Sequence, residues 1–189
     1  MNRREALSLV AWITGGLVAG SDMMLQGCTS RITPNIKKLF DPLVIDMLGD
    51  VAETILPKTN SPGAKEAGVG EFIPVMVRDC YSRKDQAIFM DGIAKLEDVS
   101  GKRYKRKFQE LSPEERKNLL IGIDREMKEY KSRQTEGQPN HYFDLFKQLT
   151  LLGYFTSEAG ATQALRYLQI PGRYDGSYSY KKGDRAWAI

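Results

Sequence analysis

The first 28 residues hold the plainest chemistry in the chain. Arg3 and Arg4 stand in Asn2-Arg3-Arg4-Glu5-Ala6-Leu7, and residues 7–21 then carry no charge. Leu25-Gln26-Gly27-Cys28 closes the segment, placing a thiol where a signal peptidase cuts and a lipid is attached. The uncharged run falls short of the ~20 apolar residues that a spanning helix needs, and Gly15, Gly16 and Gly20 are poor helix residues. Order and spacing together predict a twin-arginine export signal over residues 1–27, with Cys28 as the lipidated first residue of the mature chain. The expected location is periplasmic, at a membrane held by the lipid. That export route carries proteins already folded, so the chain is expected to travel as, or with, a finished redox protein.

Elsewhere the side chains that could react are few. His141 is the only histidine, so a multi-histidine metal site is out of reach. Beside Asn140, its expected role is solvated or helix-capping. No Cys-x-x-Cys-His occurs, which excludes covalent c-type haem. Gly68-Val69-Gly70 lacks a third glycine at the right distance and a preceding strand, which excludes a dinucleotide fold. Most acidic residues sit beside Lys or Arg on helical faces and read as solvated. No catalytic, cofactor-binding or metal-binding residue is assigned. With Cys28 lipidated, Cys80 is left alone, either buried in the core or paired with another chain. Its apolar neighbourhood in Phe72-Ile73-Pro74-Val75-Met76-Val77-Arg78-Asp79-Cys80 predicts burial.

The formal net charge is +4. Losing residues 1–27 removes Arg3, Arg4, Glu5 and Asp22, two charges of each sign, and leaves that balance unchanged. A mild positive charge suits an anionic membrane or an acidic partner. Nucleic acid is not an expected partner for an exported protein.

Helical periodicity dominates the elements that must position these residues. Residues 28–40 read as a tether, 41–170 as one helical domain and 171–189 as an irregular aromatic tail. Asp41-Pro42 starts a helix that Val44, Met47, Leu48, Val51 and Ile55 line and Pro57 stops. A shorter helix is expected over 71–81. Ser82 opens another that Gly101 should break. Ser112-Pro113-Glu114-Glu115 is a strong start signal. An aromatic helix follows His141, and Ser157 is expected to cap a last helix through Tyr167. No segment shows strand alternation, so the fold class is all-α.

Two stretches read as interaction surface. Lys102, Arg103, Lys105, Arg106 and Lys107 surround Tyr104, as a solvated helix end or as a patch for anionic headgroups, worth about 1 kcal/mol per basic residue near the surface. The tail carries Tyr174, Tyr178 and Trp187 without helical period. It either folds back on the domain or meets a partner, since Tyr, Trp and Arg are enriched at binding hot spots. Gly153, Tyr154 and Phe155 are grouped with it, Gly153 permitting close backbone approach, although core packing explains Phe155 equally well.

Glu53-Thr54-Ile55-Leu56-Pro57-Lys58-Thr59-Asn60-Ser61-Pro62-Gly63-Ala64 resembles the N-terminal signature of the gluconate 2-dehydrogenase subunit 3 family. Gly153-Tyr154-Phe155-Thr156-Ser157-Glu158, with Gly160 and Ala164-Leu165-Arg166-Tyr167, is similar to its C-terminal signature. Pro171-Gly172-Arg173-Tyr174-Asp175-Gly176 and Gly183-Asp184-Arg185-Ala186-Trp187-Ala188 resemble its closing strings. The resemblance implies a non-catalytic small subunit beside a large FAD-carrying flavoprotein of the glucose-methanol-choline type. That flavoprotein oxidises sugars or sugar acids, and a cytochrome c can take the electrons. The small subunit carries the export signal and the large one rides along. Family tails often have Cys where Ser177 stands here, so no role of that cysteine transfers. Two rivals are a self-sufficient enzyme, which would need a base and cofactor site not found here, and an envelope lipoprotein that binds a sugar or scaffolds a complex without any dehydrogenase.

Overall fold

The structure is a computed structural model that describes residues 36–170, 172 and 175–188. Arg3, Arg4, Cys28 and Tyr174 lie outside the described residues. The fold is all-α, and the described residues form five helices and two short 3-10 turns preceding a π-helical turn and a two-residue strand pair.

Local chemistry sets most helix ends. Helix α1 (Pro42–Ile55) begins where the Asp41 carboxylate accepts the Leu43 N–H at 2.9 Å, with Pro42 in the first turn. It ends as Leu56 leaves helical dihedrals just before Pro57. Helix α2 (Val69–Cys80) follows Gly68, whose φ of 75° only glycine adopts freely. Ser82 caps helix α3 (Arg83–Tyr104) through the Asp85 N–H. Ser112 and Glu115 form the full reciprocal capping box of helix α4 (Pro113–Arg133). Helix α5 (Tyr142–Thr156) starts at His141, whose Nδ1 accepts the Phe143 N–H at 3.2 Å. His141 thus takes the capping role expected of it.

Helix α1 packs against α2, α4 and α5, and α5 also lies against α2 and α3. The core forms where these faces meet. The Phe89 and Phe146 rings lie 4.6 Å apart between α3 and α5, and both are buried. The α3–α5 crossing is close because Gly92 has no side chain: a Cβ there would stand 2.6 Å from that of Tyr142. One charged cluster is drawn into this packing. Asp50 of α1 is buried, 2.7 Å from Lys65 Nζ and 3.1 Å from Arg116 of α4. Lys65 also reaches Asp46 at 2.6 Å. Hydrogen bonds donated to these two carboxylates raise the Lys65 pKa, and the bond from Lys65 lowers that of Asp46. The cluster holds the loop after α1 against α1, with α4 on its other side.

Four expectations are corrected. The tether does not extend to residue 40: Ile36–Phe40 is a 3-10 turn whose Ile36 and Leu39 sit in the core. Gly101 does not break α3. The helix runs one turn further and ends at Lys105, in the left-handed region with φ of 57°, its N–H donating to Gly101 O. One glycine costs a helix only about 1 kcal/mol and need not end it. Cys80 is exposed, not buried, because it falls on the outer side of the last turn of α2, while Val77 faces in. The last helix does not reach Tyr167. It closes as a π-helical turn over Gly160–Ala164, and Arg166–Tyr167 (β1) pairs in parallel with Trp187–Ala188 (β2). The tail therefore contains a strand, and its end folds back onto the domain.

Candidate functional site: an interaction surface

Two of the strings that carry the family resemblance meet in space. After α1, the Glu53 carboxylate accepts backbone N–H groups from Lys58 and Lys65, each at 2.9 Å, and this clasps the intervening loop. Gly63 lies against that carboxylate, where a Cβ would come within 2.2 Å of its oxygens. Across the clasp, the Tyr154 hydroxyl donates to Pro62 O at 2.8 Å and lies 3.2 Å from Ser61 Oγ. Gly153 faces α2, where an added Cβ would stand 2.6 Å from the Phe72 ring. Gly153 and Tyr154, expected at a partner interface, are thus used inside the domain, and Tyr154 is buried.

Phe155 points the other way. It is 38% exposed, with Leu151 at 40% and Leu152 at 44%. Residues three and four apart share a helix face, so these three form an apolar stripe on the outer side of α5. The stripe leads into the π-helical turn, which Ser157 organises. Its Oγ accepts the Gly160 N–H at 3.0 Å and donates to Tyr154 O at 2.7 Å.

Two arginines that the sequence reading left without a role bind the tail here. Arg185 Nη1 donates to Gln163 O at 2.8 Å, covering a carbonyl at the end of the turn. The Arg166 N–H donates to Ala186 O at 2.8 Å. The Arg166 guanidinium sits 4.7 Å from the Trp187 ring and 5.6 Å from that of Tyr178, and donates to the Tyr178 hydroxyl at 2.6 Å. Tyr178 and Trp187 pack edge to face at 5.7 Å. Each of these rings keeps an outer face in solvent, at 53% and 42% exposure. The signal that could have found the arginines was their place near Tyr167 and Trp187 in the strings that carry the resemblance, since guanidinium stacks on ring faces.

The basic cluster is partly neutralised. Lys102 pairs with Asp98 at 2.5 Å, Arg106 with Glu115 at 2.5 Å, and Arg103 stacks over Tyr104. Lys105 and Lys107 are exposed and have no ion pair among the described residues.

His141 closes a shallow cleft of about 400 Å³ lined by Glu126, Glu129, Tyr130, Arg133 and Gln138. Its ring lies between Tyr130 and Tyr142, with Nε2 3.9 Å from Glu126. Burial pushes its pKa below the ordinary value, against the pull of Glu126. The neighbouring Tyr142 hydroxyl is pushed up to about 12 by burial. Nδ1 is committed to the helix cap, so one nitrogen faces the cleft. Among the described residues no three His, Cys, Asp or Glu side chains gather to hold a metal, and no helix is long and apolar enough to cross a membrane.

The stripe and the tail rings are among the large apolar side chains left exposed. No curated protein and no solved structure matches the chain. The family model described as Gluconate 2-dehydrogenase subunit 3 matches residues 44–172, well over half of the length. That span takes in the Glu53 clasp and the Tyr154 bond that locks it, and the chain belongs to the gluconate 2-dehydrogenase subunit 3 family.

Proposed function

We propose that this chain is the accessory small subunit that exports, anchors and stabilises a large FAD-dependent sugar or sugar-acid dehydrogenase of the glucose-methanol-choline type. Family membership makes it a subunit of a gluconate dehydrogenase-type complex. The observations that carry the finer reading are the exposed apolar stripe of Leu151, Leu152 and Phe155 and the exposed rings of Tyr178 and Trp187, in a chain with one histidine. Exposed large apolar patches on small proteins mark binding surfaces. In this reading the FAD, and the pocket that selects substrate, belong to the large subunit, with a cytochrome c as an acceptor. This chain supplies the twin-arginine signal through Arg3 and Arg4, a lipid anchor at Cys28, and a basic patch at residues 102–107 toward the membrane.

Fractionation tests the export role. Arg3→Lys with Arg4→Lys is expected to leave both this chain and the dehydrogenase activity in the cytoplasm, because a folded partner cannot use an unfolded-chain route. Normal periplasmic activity in the double variant would overturn it.

A further inference from the structure

We propose that the domain docks on an anionic lipid surface through the edge where its chain enters, a mixed basic and apolar edge made by Lys37, Lys38, Phe40, Leu43 and Lys107. The 3-10 turn Ile36–Phe40 buries Ile36 and Leu39, which turns Lys37, Lys38 and Phe40 outward. Leu43 follows at 72% exposure, more than almost any other apolar side chain of the domain. Gln109 Nε2 donates to Asp46 at 3.0 Å and reaches Leu43 O at 3.5 Å. Those contacts bring the segment with Lys107 to the same edge.

The charge at this edge favours phosphate headgroups. Lys37, Lys38 and Lys107 have no ion pair among the described residues, whereas the nearby carboxylates are engaged. Asp41 caps α1, Asp46 is held by Lys65, and Asp79 makes a bidentate pair with Arg78, whose guanidinium lies 5.1 Å from the Phe40 ring. A leucine and a ring can sink to the acyl boundary while lysines on long stems pair with phosphates. A fitted protein interface would leave fewer unpaired lysines among its contacts. The inference rests on the lipid-anchor reading for proximity alone. Cys28 stands eight positions before Ile36, and such a stretch spans at most about 28 Å. A lipid there would keep this edge, more than any other, near the bilayer.

Photocrosslinking on the full chain in vesicles tests the edge. Benzoylphenylalanine replaces Leu43 in one sample and Leu152 in a control. Position 152 is likewise exposed, at 44%, but sits on α5 outside the proposed edge. In phosphatidylcholine vesicles containing phosphatidylglycerol, position 43 is expected to give lipid adducts and position 152 few. Lys37→Glu with Lys38→Glu, or vesicles of phosphatidylcholine alone, should lower the adduct yield at 43 by roughly tenfold. Equal lipid adducts at 43 and 152, a yield indifferent to both changes, or protein crosslinks at 43 in native membranes would overturn the proposal. The mass of the Cys28 peptide reads the anchor separately. Adducts at 43 with Cys28 unmodified keep the edge and reject the anchor. Lipid on Cys28 without adducts at 43 does the reverse.

Discussion

Tyr154 lies within the span that the family model matches and Trp187 beyond it, and the molecule uses the two rings in opposite ways. Tyr154 is buried to 4% exposure between α5 and the loop after α1, and its hydroxyl is bonded to Pro62 O. Trp187 is ordered by a single guanidinium and a two-residue strand, with 42% of its surface open. One ring is a keystone of the domain, and the other is presented by it. An aromatic residue's role thus follows from whether backbone closes around it.

The strongest way to break this contrast is Tyr154→Ala. It should cost about 3–5 kcal/mol, since a large side chain leaves a cavity and the Glu53 loop loses its lock. Urea unfolding followed by circular dichroism would measure it, and a loss below about 1 kcal/mol would place Tyr154 with Trp187 as a surface ring. Tyr154→Phe isolates the hydroxyl and should cost about 1 kcal/mol.

Truncation after Ile170 tests the other side. Among the described residues it removes β2 and Arg185 but no buried core residue, so the helical domain should unfold within about 1 kcal/mol of the intact chain. Co-purification with the flavoprotein should nevertheless be lost, because an aromatic anchor at an interface is worth about 2 kcal/mol or more. A truncated chain that still binds fully confines the interface to the Leu151–Leu152–Phe155 stripe. Trp187→Ala sharpens the same point with a stability change within about 0.5 kcal/mol.

The smallest expected effect concerns the cap at His141. Burial holds its folded-state pKa below the unfolded value. The neutral ring is therefore the favoured folded form, and its stabilisation is present above the unfolded value of about 6.5. It is lost as pH falls through that value toward the folded one. Protonation of Nδ1 would also remove the acceptor for the Phe143 N–H. Asparagine caps without titrating, so His141→Asn should flatten the fall in melting temperature between pH 7 and 5. Parallel profiles for the two proteins would remove His141 as the cause.

Helix starts were legible because they are local. Asp41-Pro42, Ser112-Pro113-Glu114-Glu115 and Ser82 each satisfy an N–H within three residues, so position in the fold hardly matters. Helix ends were harder to read. Gly101 sits inside α3, where Ser100 Oγ donates at 2.8 Å to Arg106 O beyond the helix, and the helix after Ser157 widens into a π-turn whose end Arg185 covers at Gln163 O. The candidate surface divides the same way. Composition and absent periodicity single out Tyr178 and Trp187 as rings without a helical slot, but not the Arg166 side chain that sits over both.

The sequence by itself determined the helical class, the family strings and the poverty of reactive side chains, since each depends on residue type and near-neighbour spacing. Which rings face inward was decided only by tertiary structure. Sequence alone reads Gly153 and Tyr154 as interface; the loop at Pro62, 2.8 Å from the hydroxyl across 92 positions of chain, draws Tyr154 into the domain. Cys80 likewise sits in an apolar string, but the rotation of α2 against α1 and α5 buries Val77 and leaves the thiol outside. Burial depends on what packs opposite a residue, and that partner comes from elsewhere in the chain.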